Sequence, residues 1–333
     1  MLAGLLHSLE KETAPPVTFL SERCLRKRLN KNECTRCVDV CRSKAIEREG
    51  RTIVYREDRC TGCMGCFSVC PNDAFACEFN MFDLLPPLQR SNSERPLTIS
   101  CRRAAPCAEN IRIPCLGLLS EPVLAAMHCV AAADFYLDVG PCADCENGAV
   151  LDRLHSRMRG LATRLGGSER PRIRYCTGGF PEKANRASAR RFFLGMAGSS
   201  LLDAGKESVR LMADAPEADP QDASRERRPV QLSRFLHKAL DMVPQEEDAR
   251  RDLLKSYFRT IKIKKEQCDQ CPLCSGMCPT GALKRKNGDG EKRLLFTSAG
   301  CSGCGLCVEF CRKQAVLLQP GCHGDPGEEM VVF

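Results

Sequence analysis

Two stretches of this chain alternate apolar and polar residues on either side of a turn. Ala45-Ile46-Glu47-Arg48 and Arg51-Thr52-Ile53-Val54-Tyr55 flank Glu49-Gly50; Ala282-Leu283-Lys284-Arg285 and Arg293-Leu294-Leu295-Phe296 flank Asn287-Gly288-Asp289-Gly290. Each predicts a hairpin of two short strands, the second with the longer connection. Between them the texture changes. Pro96–Cys101, Asn110–Cys115, Asp134–Gly140 and Pro171–Cys176 each read as a short strand. Ser120–Ala132 has the apolar spacing of a helix, with Ser120 placed as N-cap and Pro122 in the first turn. Asn147–Arg164 is a second helix, carrying Leu151, Leu154, Met158 and Leu161 on one face. Strand–helix alternation of this kind predicts a parallel sheet.

Beyond the sheet, Ser188–Gly195 opens a helix expected to pack Phe192, Phe193, Leu194, Met196 and Leu201. Ala213–Pro229 is charged and poor in apolar residues, the composition of a flexible linker. Gln231–Val243 and Gln245–Ile261 then read as amphipathic helices. A chain of 333 residues holds two or three domains. The pattern divides this one into 20–80, 95–178, a helical connector over 180–262 containing the 213–229 linker, and 263–320.

Cysteine spacing gives these segments their chemistry. Cys268-x2-Cys271-x2-Cys274-x3-Cys278-Pro279 is followed by Cys301-x2-Cys304-x2-Cys307-x3-Cys311. A tight loop with a thiolate at every third position turns three sulfurs toward one cubane, while the fourth, one residue further on, faces its neighbour. The run resembles that of bacterial two-cluster [4Fe–4S] ferredoxins. The sets expected are Cys268, Cys271, Cys274 with Cys311, and Cys301, Cys304, Cys307 with Cys278. Zinc is the alternative, but a four-ligand site leaves the third regularly spaced cysteine of each run idle.

The pattern recurs upstream, so the chain contains an internal repeat. Cys60-x2-Cys63-x2-Cys66-x3-Cys70-Pro71 is complete, whereas Cys34-x2-Cys37-x3-Cys41 has Lys31 where a first cysteine belongs. Cys24 is the expected substitute, brought in by a longer loop or a short helix around Leu25–Leu29; a three-iron cluster is the alternative. The crossing rule then groups Cys24, Cys34, Cys37 and Cys70, and separately Cys60, Cys63, Cys66 and Cys41.

In the middle segment Cys101, Cys115, Cys142 and Cys145, and also Cys176, follow strands. Open α/β sheets bind ligands beyond the carboxyl ends of their strands, and four thiolates there suit one [2Fe–2S] cluster. Ile113-Pro-Cys115-Leu-Gly, Pro122-Val-Leu, Ala133–Gly140, Cys142-x2-Cys145 and Asn147-Gly148 resemble the delta subunit of methyl-viologen-reducing hydrogenase. That resemblance implies one [2Fe–2S] cluster and electron transfer toward heterodisulfide reductase. The family opens with a close cysteine pair, whereas Cys101 and Cys107 are six apart; Cys101 is preferred for its strand-end position. Core cysteines without a cluster, or zinc on the same four residues, are the alternatives, and Cys129, inside a helix, reads as a small core residue.

Charge changes the picture once the clusters are counted. The formal +8 is offset by about −2 for each cluster with its four thiolates, roughly −10 in all. With no Trp and four Tyr, a base-stacking platform is poorly supplied, and nucleic acid is not expected as a partner. The 25 cysteines, without a secretory signal, imply a reducing compartment. No apolar run approaches a membrane span, so a soluble cytoplasmic protein is expected. No dinucleotide fingerprint, phosphate loop, nucleophile elbow or His-Glu-x-x-His motif is present.

The fold class expected is mixed α/β and α+β: two ferredoxin-like dicluster modules around a small parallel flavodoxin- or Rossmann-like domain. Four [4Fe–4S] clusters and one [2Fe–2S] cluster use 20 cysteines, leaving Cys77, Cys107, Cys129, Cys176 and Cys322. The function expected is a non-catalytic electron-transfer subunit of an anaerobic redox complex. Protein redox partners resembling hydrogenase, formate dehydrogenase or heterodisulfide reductase fit it. Two other classes remain open: an oxidoreductase binding substrate at an open iron near Cys24 or the Cys176/Cys107 edge, and a redox sensor acting through the 213–229 linker.

Overall fold

The computed structural model describes residues 17–29, 31–94, 96–105, 110–167, 169–178, 227–288 and 291–333. Cys107, the helix expected from Ser188 and most of the 213–229 linker lie outside them.

The parallel sheet forms from β5 (Thr98–Cys101), β6 (Asn110–Ile113), β7 (Phe135–Asp138) and β8 (Ile173–Cys176), in the order β6-β5-β7-β8. All pairings are parallel: Ile99 lies opposite Ile111 on one side and Leu137 on the other, and Leu137 in turn opposes Tyr175. Parallel neighbours need crossovers. The helices Glu121–Val130 and Val150–Arg164 supply two of them. The first is buried at every position from Val123 to Val130, because it lies between the sheet and the helices Gln231–Met242 and Asp248–Lys255. A helix apolar all round is stable only when covered on both sides. Ser120 holds the N-cap position with an extended backbone and accepts from Leu124 N, but its hydroxyl makes no capping bond.

The cysteine runs at the two ends of the chain share one architecture. Upstream, the hairpin of β2 (Ile46–Glu49) and β3 (Thr52–Tyr55) sits beside a terminal pair, β1 (Thr18–Phe19) with β4 (Phe75–Ala76). Downstream, β10 (Leu283–Gly288) and β11 (Glu291–Thr297) form the longer hairpin, and β9 (Arg259–Ile263) pairs antiparallel with β12 (Val316–Pro320). A last strand, β13 (Glu329–Val331), adds to β11. Short helices follow the cysteine loops: Arg36–Val40 and Gly65–Val69 upstream, Leu273–Met277 and Leu306–Glu309 downstream.

β9 corrects the helix expected over Gln245–Ile261. That helix ends at Lys255 because the following backbone is engaged elsewhere. Phe258 O accepts from Gly321 N, Lys255 O from Cys322 N, and Ile261 pairs with Leu318 in the downstream core. The upstream repeat, the sheet and the helices from Gln231 share one continuous hydrophobic core, while the downstream repeat has a smaller core of its own.

Candidate iron–sulfur sites

Four of the sites are built by the repeats. The Cys37 thiol is pushed up to about 12 by burial and then by the neighbouring sulfurs of Cys70, Cys24 and Cys34. Burial raises Cys66 as well, and Cys63, Cys60 and Cys41 add to it. Downstream, Cys274 rises to about 11 through burial, beside Cys271, Cys268 and Cys311. Cys307 rises to about 12 through burial, beside Cys301, Cys304 and Cys278. The folding thus brings together the same four quartets that spacing proposes. Cys24 reaches its quartet from the end of a 3-10 turn, Ser21–Arg23, and the short helix Leu25–Arg28 starts immediately after it.

Backbone conformation repeats with the sulfurs. Lys44, Asp73, Gly281 and Gln314, each three residues past the last cysteine of its run, adopt φ of 53°, 49°, 71° and 50°. Three of them are not glycine, so the left-handed turn there is imposed by the loop rather than by residue preference. The turn aims the next amide back at the thiol: Ala74 N donates to Cys70 Sγ and Ala315 N to Cys311 Sγ, both at 3.3 Å. Gly303 N likewise donates to Cys301 Sγ at 3.4 Å. Hydroxyls follow the same repeat, with Ser43 Oγ 3.6 Å from Cys41 Sγ and Thr280 Oγ1 3.6 Å from Cys278 Sγ.

The fifth site lies at the carboxyl edge of the parallel sheet. Burial pushes the Cys115 thiol up to about 11, and Cys63, Cys101 and Cys142 contribute. Cys142 is raised by burial, then by Cys101 and Cys145. Cys101, buried at the end of β5, lies near Cys115 and Cys142. Asn147 N donates to Cys145 Sγ at 3.4 Å. Cys176 ends β8 beside Asp138, whose charge raises its thiol after burial does.

The remaining described cysteines are occupied differently. Cys129 is buried in its helix and donates to Arg250 O, Cys77 lies near Phe79 O, and Cys322 is buried against the main core. His128 is wholly buried, its Nδ1 accepting from Arg172 N, and His155 packs edge-on against Tyr175. Arg227 is exposed and donates to Gly276 O.

These donor sets fit iron–sulfur clusters. Every described cysteine is a free thiol, and buried thiols crowded together favour the neutral form. A cationic iron core would supply the missing counter-charge and take the thiolates, and the amides aimed at sulfur would stabilise it further. Among the described residues no set of three His, Cys, Asp or Glu is placed to hold one metal ion.

The sequence reading missed the residues that join the sites. Asn32 Oδ1 accepts from Cys34 N while its Nδ2 donates to Glu309 Oε2. Thr61, between Cys60 and Cys63, is hydrogen-bonded to Asn147. Arg153 faces Cys63, and Arg259 faces Cys301. Nothing in local spacing marks them, because their partners are distant in sequence.

Comparison with known proteins places the repeats in a class. Residues 32–74 and 260–312 each match a 4Fe-4S dicluster domain. The chain is 46% identical over 43 residues to a ferredoxin of Methanothermococcus thermolithotrophicus, covering 13% of this chain and 72% of the relative. The chain belongs to the ferredoxin family, through its 4Fe-4S dicluster domains. It is 40% identical over 63 residues to the polyferredoxin protein MvhB of Methanothermobacter marburgensis, covering 16% of this chain and 15% of that protein. It is 36% identical over 58 residues to the pyruvate synthase subunit PorD of Thermotoga maritima, covering 17% and 56%. The chain thus spans less than two thirds of these last two relatives, 15% of one and 56% of the other. No solved structure matches it significantly. Among the described residues no helix is long and apolar enough to cross a membrane.

Proposed function

We propose that this chain is a five-cluster electron-transfer subunit of a larger cytoplasmic redox complex, relaying single electrons between a donor and an acceptor protein. One observation carries the reading: five groups of cysteines, each drawn close together and wholly or partly buried, on a single chain. Four hold [4Fe–4S] clusters: Cys24, Cys34, Cys37, Cys70; Cys60, Cys63, Cys66, Cys41; Cys268, Cys271, Cys274, Cys311; and Cys301, Cys304, Cys307, Cys278. The fifth, Cys101, Cys115, Cys142 and Cys145, holds a [2Fe–2S] cluster on a Rossmann-like sheet resembling the hydrogenase delta family.

The clusters supply the redox chemistry, and the chain sets spacing and potential. Arg153 beside Cys63 and Arg259 beside Cys301 place positive charge where an added electron resides. Amide donors to Cys70, Cys301, Cys311 and Cys145 act in the same direction. The names of the relatives, a polyferredoxin and a subunit of pyruvate synthase, support protein partners.

The test is iron and acid-labile sulfide on anaerobically purified protein, with EPR during stepwise reduction. Four cubanes and one binuclear cluster give about 18 irons per chain. About 16 irons with cubane signals alone would empty the sheet edge, and zinc in place of iron would sink the relay.

A further inference from the structure

We propose that the five sites are threaded into one unbranched line, in the order sheet edge, Cys60 site, Cys24 site, Cys301 site, Cys268 site. The inference rests on the electron-transfer reading and adds where electrons enter and leave. The sheet edge and the Cys268 site are the two terminals, and the other three sites are interior.

The first junction joins the sheet edge to the Cys60 site. Gly117, two residues past Cys115, lies so close to the Cys60–Cys66 loop that a Cβ there would sit 2.1 Å from Cys63 O. Thr61 Oγ1 donates to Asn147 Oδ1 at 2.6 Å, and Asn147 Nδ2 donates to Thr61 O at 2.9 Å. Asn147 N meanwhile donates to Cys145 Sγ. One side chain and one glycine therefore pin the loop of one site onto that of the other.

The second junction joins the Cys24 site to the Cys301 site. Asn32 accepts from Cys34 N and donates to Glu309, two residues past Cys307. Arg28 N donates to Cys24 O, and its guanidinium lies near Cys278 and Cys304, both of the Cys301 quartet. The helix Gln231–Met242 clamps the same junction. Gln231 N donates to Asp73 Oδ2, three residues past Cys70, and Ser233 Oγ donates to Cys301 O. Cys70 and Cys301 both line one cleft of about 620 Å³.

The far terminal is the outward loop of the downstream repeat. Lys264 to Gln267, Asp269 and Pro272 are exposed, and Leu273, inside the Cys271–Cys274 turn, presents 37% of its surface. At the opposite terminal, Arg102, Arg103, Asp144 and Glu146 are exposed around Cys101 and Cys145. A donor and an acceptor thus approach opposite ends, and each electron passes through every interior site.

Magnetic relaxation in the loaded full-length chain tests the order. A reduced binuclear centre relaxes slowly alone and faster beside a paramagnetic cubane, so its relaxation rate reports its nearest neighbour. Cys60→Ala should slow that relaxation several-fold, and Cys271→Ala should leave it unchanged. Gly117→Ala keeps every ligand, so it should retain the full iron content while still slowing the relaxation. At the second junction, Arg28→Gln should retain iron and lower the potential of one cubane signal without moving the binuclear one. Equal effects of Cys60→Ala and Cys271→Ala, or a Gly117→Ala protein with unchanged relaxation, would overturn the order while leaving the relay standing. Protein with the full 4Fe complement but no binuclear signal removes the sheet-edge terminal, and protein without iron removes relay and order together.

Discussion

Asn32 donates to the Glu309 carboxylate at 2.8 Å across 277 residues of chain, while its own carbonyl oxygen accepts from Cys34 N at 3.1 Å. One buried amide thereby ties the first cysteine loop of the upstream repeat to the last helix of the downstream repeat. Removing it with Asn32→Ala breaks both bonds and leaves Cys34 N without its acceptor. The cost is about 1–3 kcal/mol. Thermal unfolding of the cluster-loaded protein should show a lower midpoint. Glu309→Gln, which keeps an acceptor for the amide, should cost less; equal midpoints for Asn32→Ala and the unsubstituted chain would exclude the tie.

Cys24 stands alone upstream of the irregular run, yet it faces Cys34 and Cys37. Cys24→Ala leaves that quartet with three thiols. The protein should lose about one iron per chain and gain the oxidised EPR signal of a three-iron cluster. Cys77→Ala, which removes a thiol outside every quartet, should do neither. Full iron content and no new signal in Cys24→Ala would mean that another ligand completes the site.

How much of this was legible follows from which interactions are local. Three cysteines separated by two residues and a fourth after three more define a loop without reference to the rest of the fold, so the regular sets could be proposed from spacing, whereas Cys24 falls outside the pattern and could be offered only as a substitute for the missing first cysteine. Alternation likewise gave the hairpins and the four strands of the sheet. β9 was hidden because Phe258–Ile263 continues the amphipathic texture of the preceding helix, and only its pairing with Val316–Pro320 settles its conformation. The two-residue strands β1 and β4 are too short to show a period. Asn32, Arg28 and Thr61 act on partners far along the chain, where no sequence window can see them.

Cluster loading should release protons. Burial holds Cys37, Cys301 and Cys307 up to about 12, and Cys274, Cys70 and Cys115 up to about 11, so these thiols are protonated near neutral pH in the cluster-free fold. Clusters bind thiolates, so loading strengthens as pH rises and weakens as pH falls. Reconstitution in weakly buffered solution should acidify it in proportion to the iron taken up. Uptake with no proton release would contradict the thiol assignment.

His128 gives the fold a second acid sensitivity. Burial, then Arg250 and Arg172, holds it down to about 4 against a weaker opposing pull from Asp134; Glu169 lies 4.0 Å from Nε2. The unfolded chain takes up this proton near pH 6.5, before the folded chain does, so stability is full above that value and falls between pH 6.5 and about 4. The loss amounts to roughly 3 kcal/mol at the acid end. His128→Asn, which keeps an acceptor for Arg172 N, should flatten the denaturant midpoint across that window. An unchanged slope would assign the acid sensitivity elsewhere.

Arg157 supports the joint between the sheet and the upstream repeat. Its Nη1 donates to Gly117 O at 3.0 Å and to Leu119 O at 2.9 Å, and its Nη2 donates to Ser68 Oγ at 2.8 Å. Burial, then Arg153, pulls its pKa below the usual guanidinium range. Arg157→Leu strands two carbonyls and a hydroxyl and should cost about 2–4 kcal/mol. Arg157→Lys retains the charge but not the fork that reaches both elements, so it should recover only part of that loss. Iron content should stay near the unsubstituted value in both variants, since no thiol is touched. Limited proteolysis should then cut between the repeat and the sheet sooner in Arg157→Leu than in Arg157→Lys. If the lysine variant is as resistant as the unsubstituted chain, charge rather than the fork holds the joint.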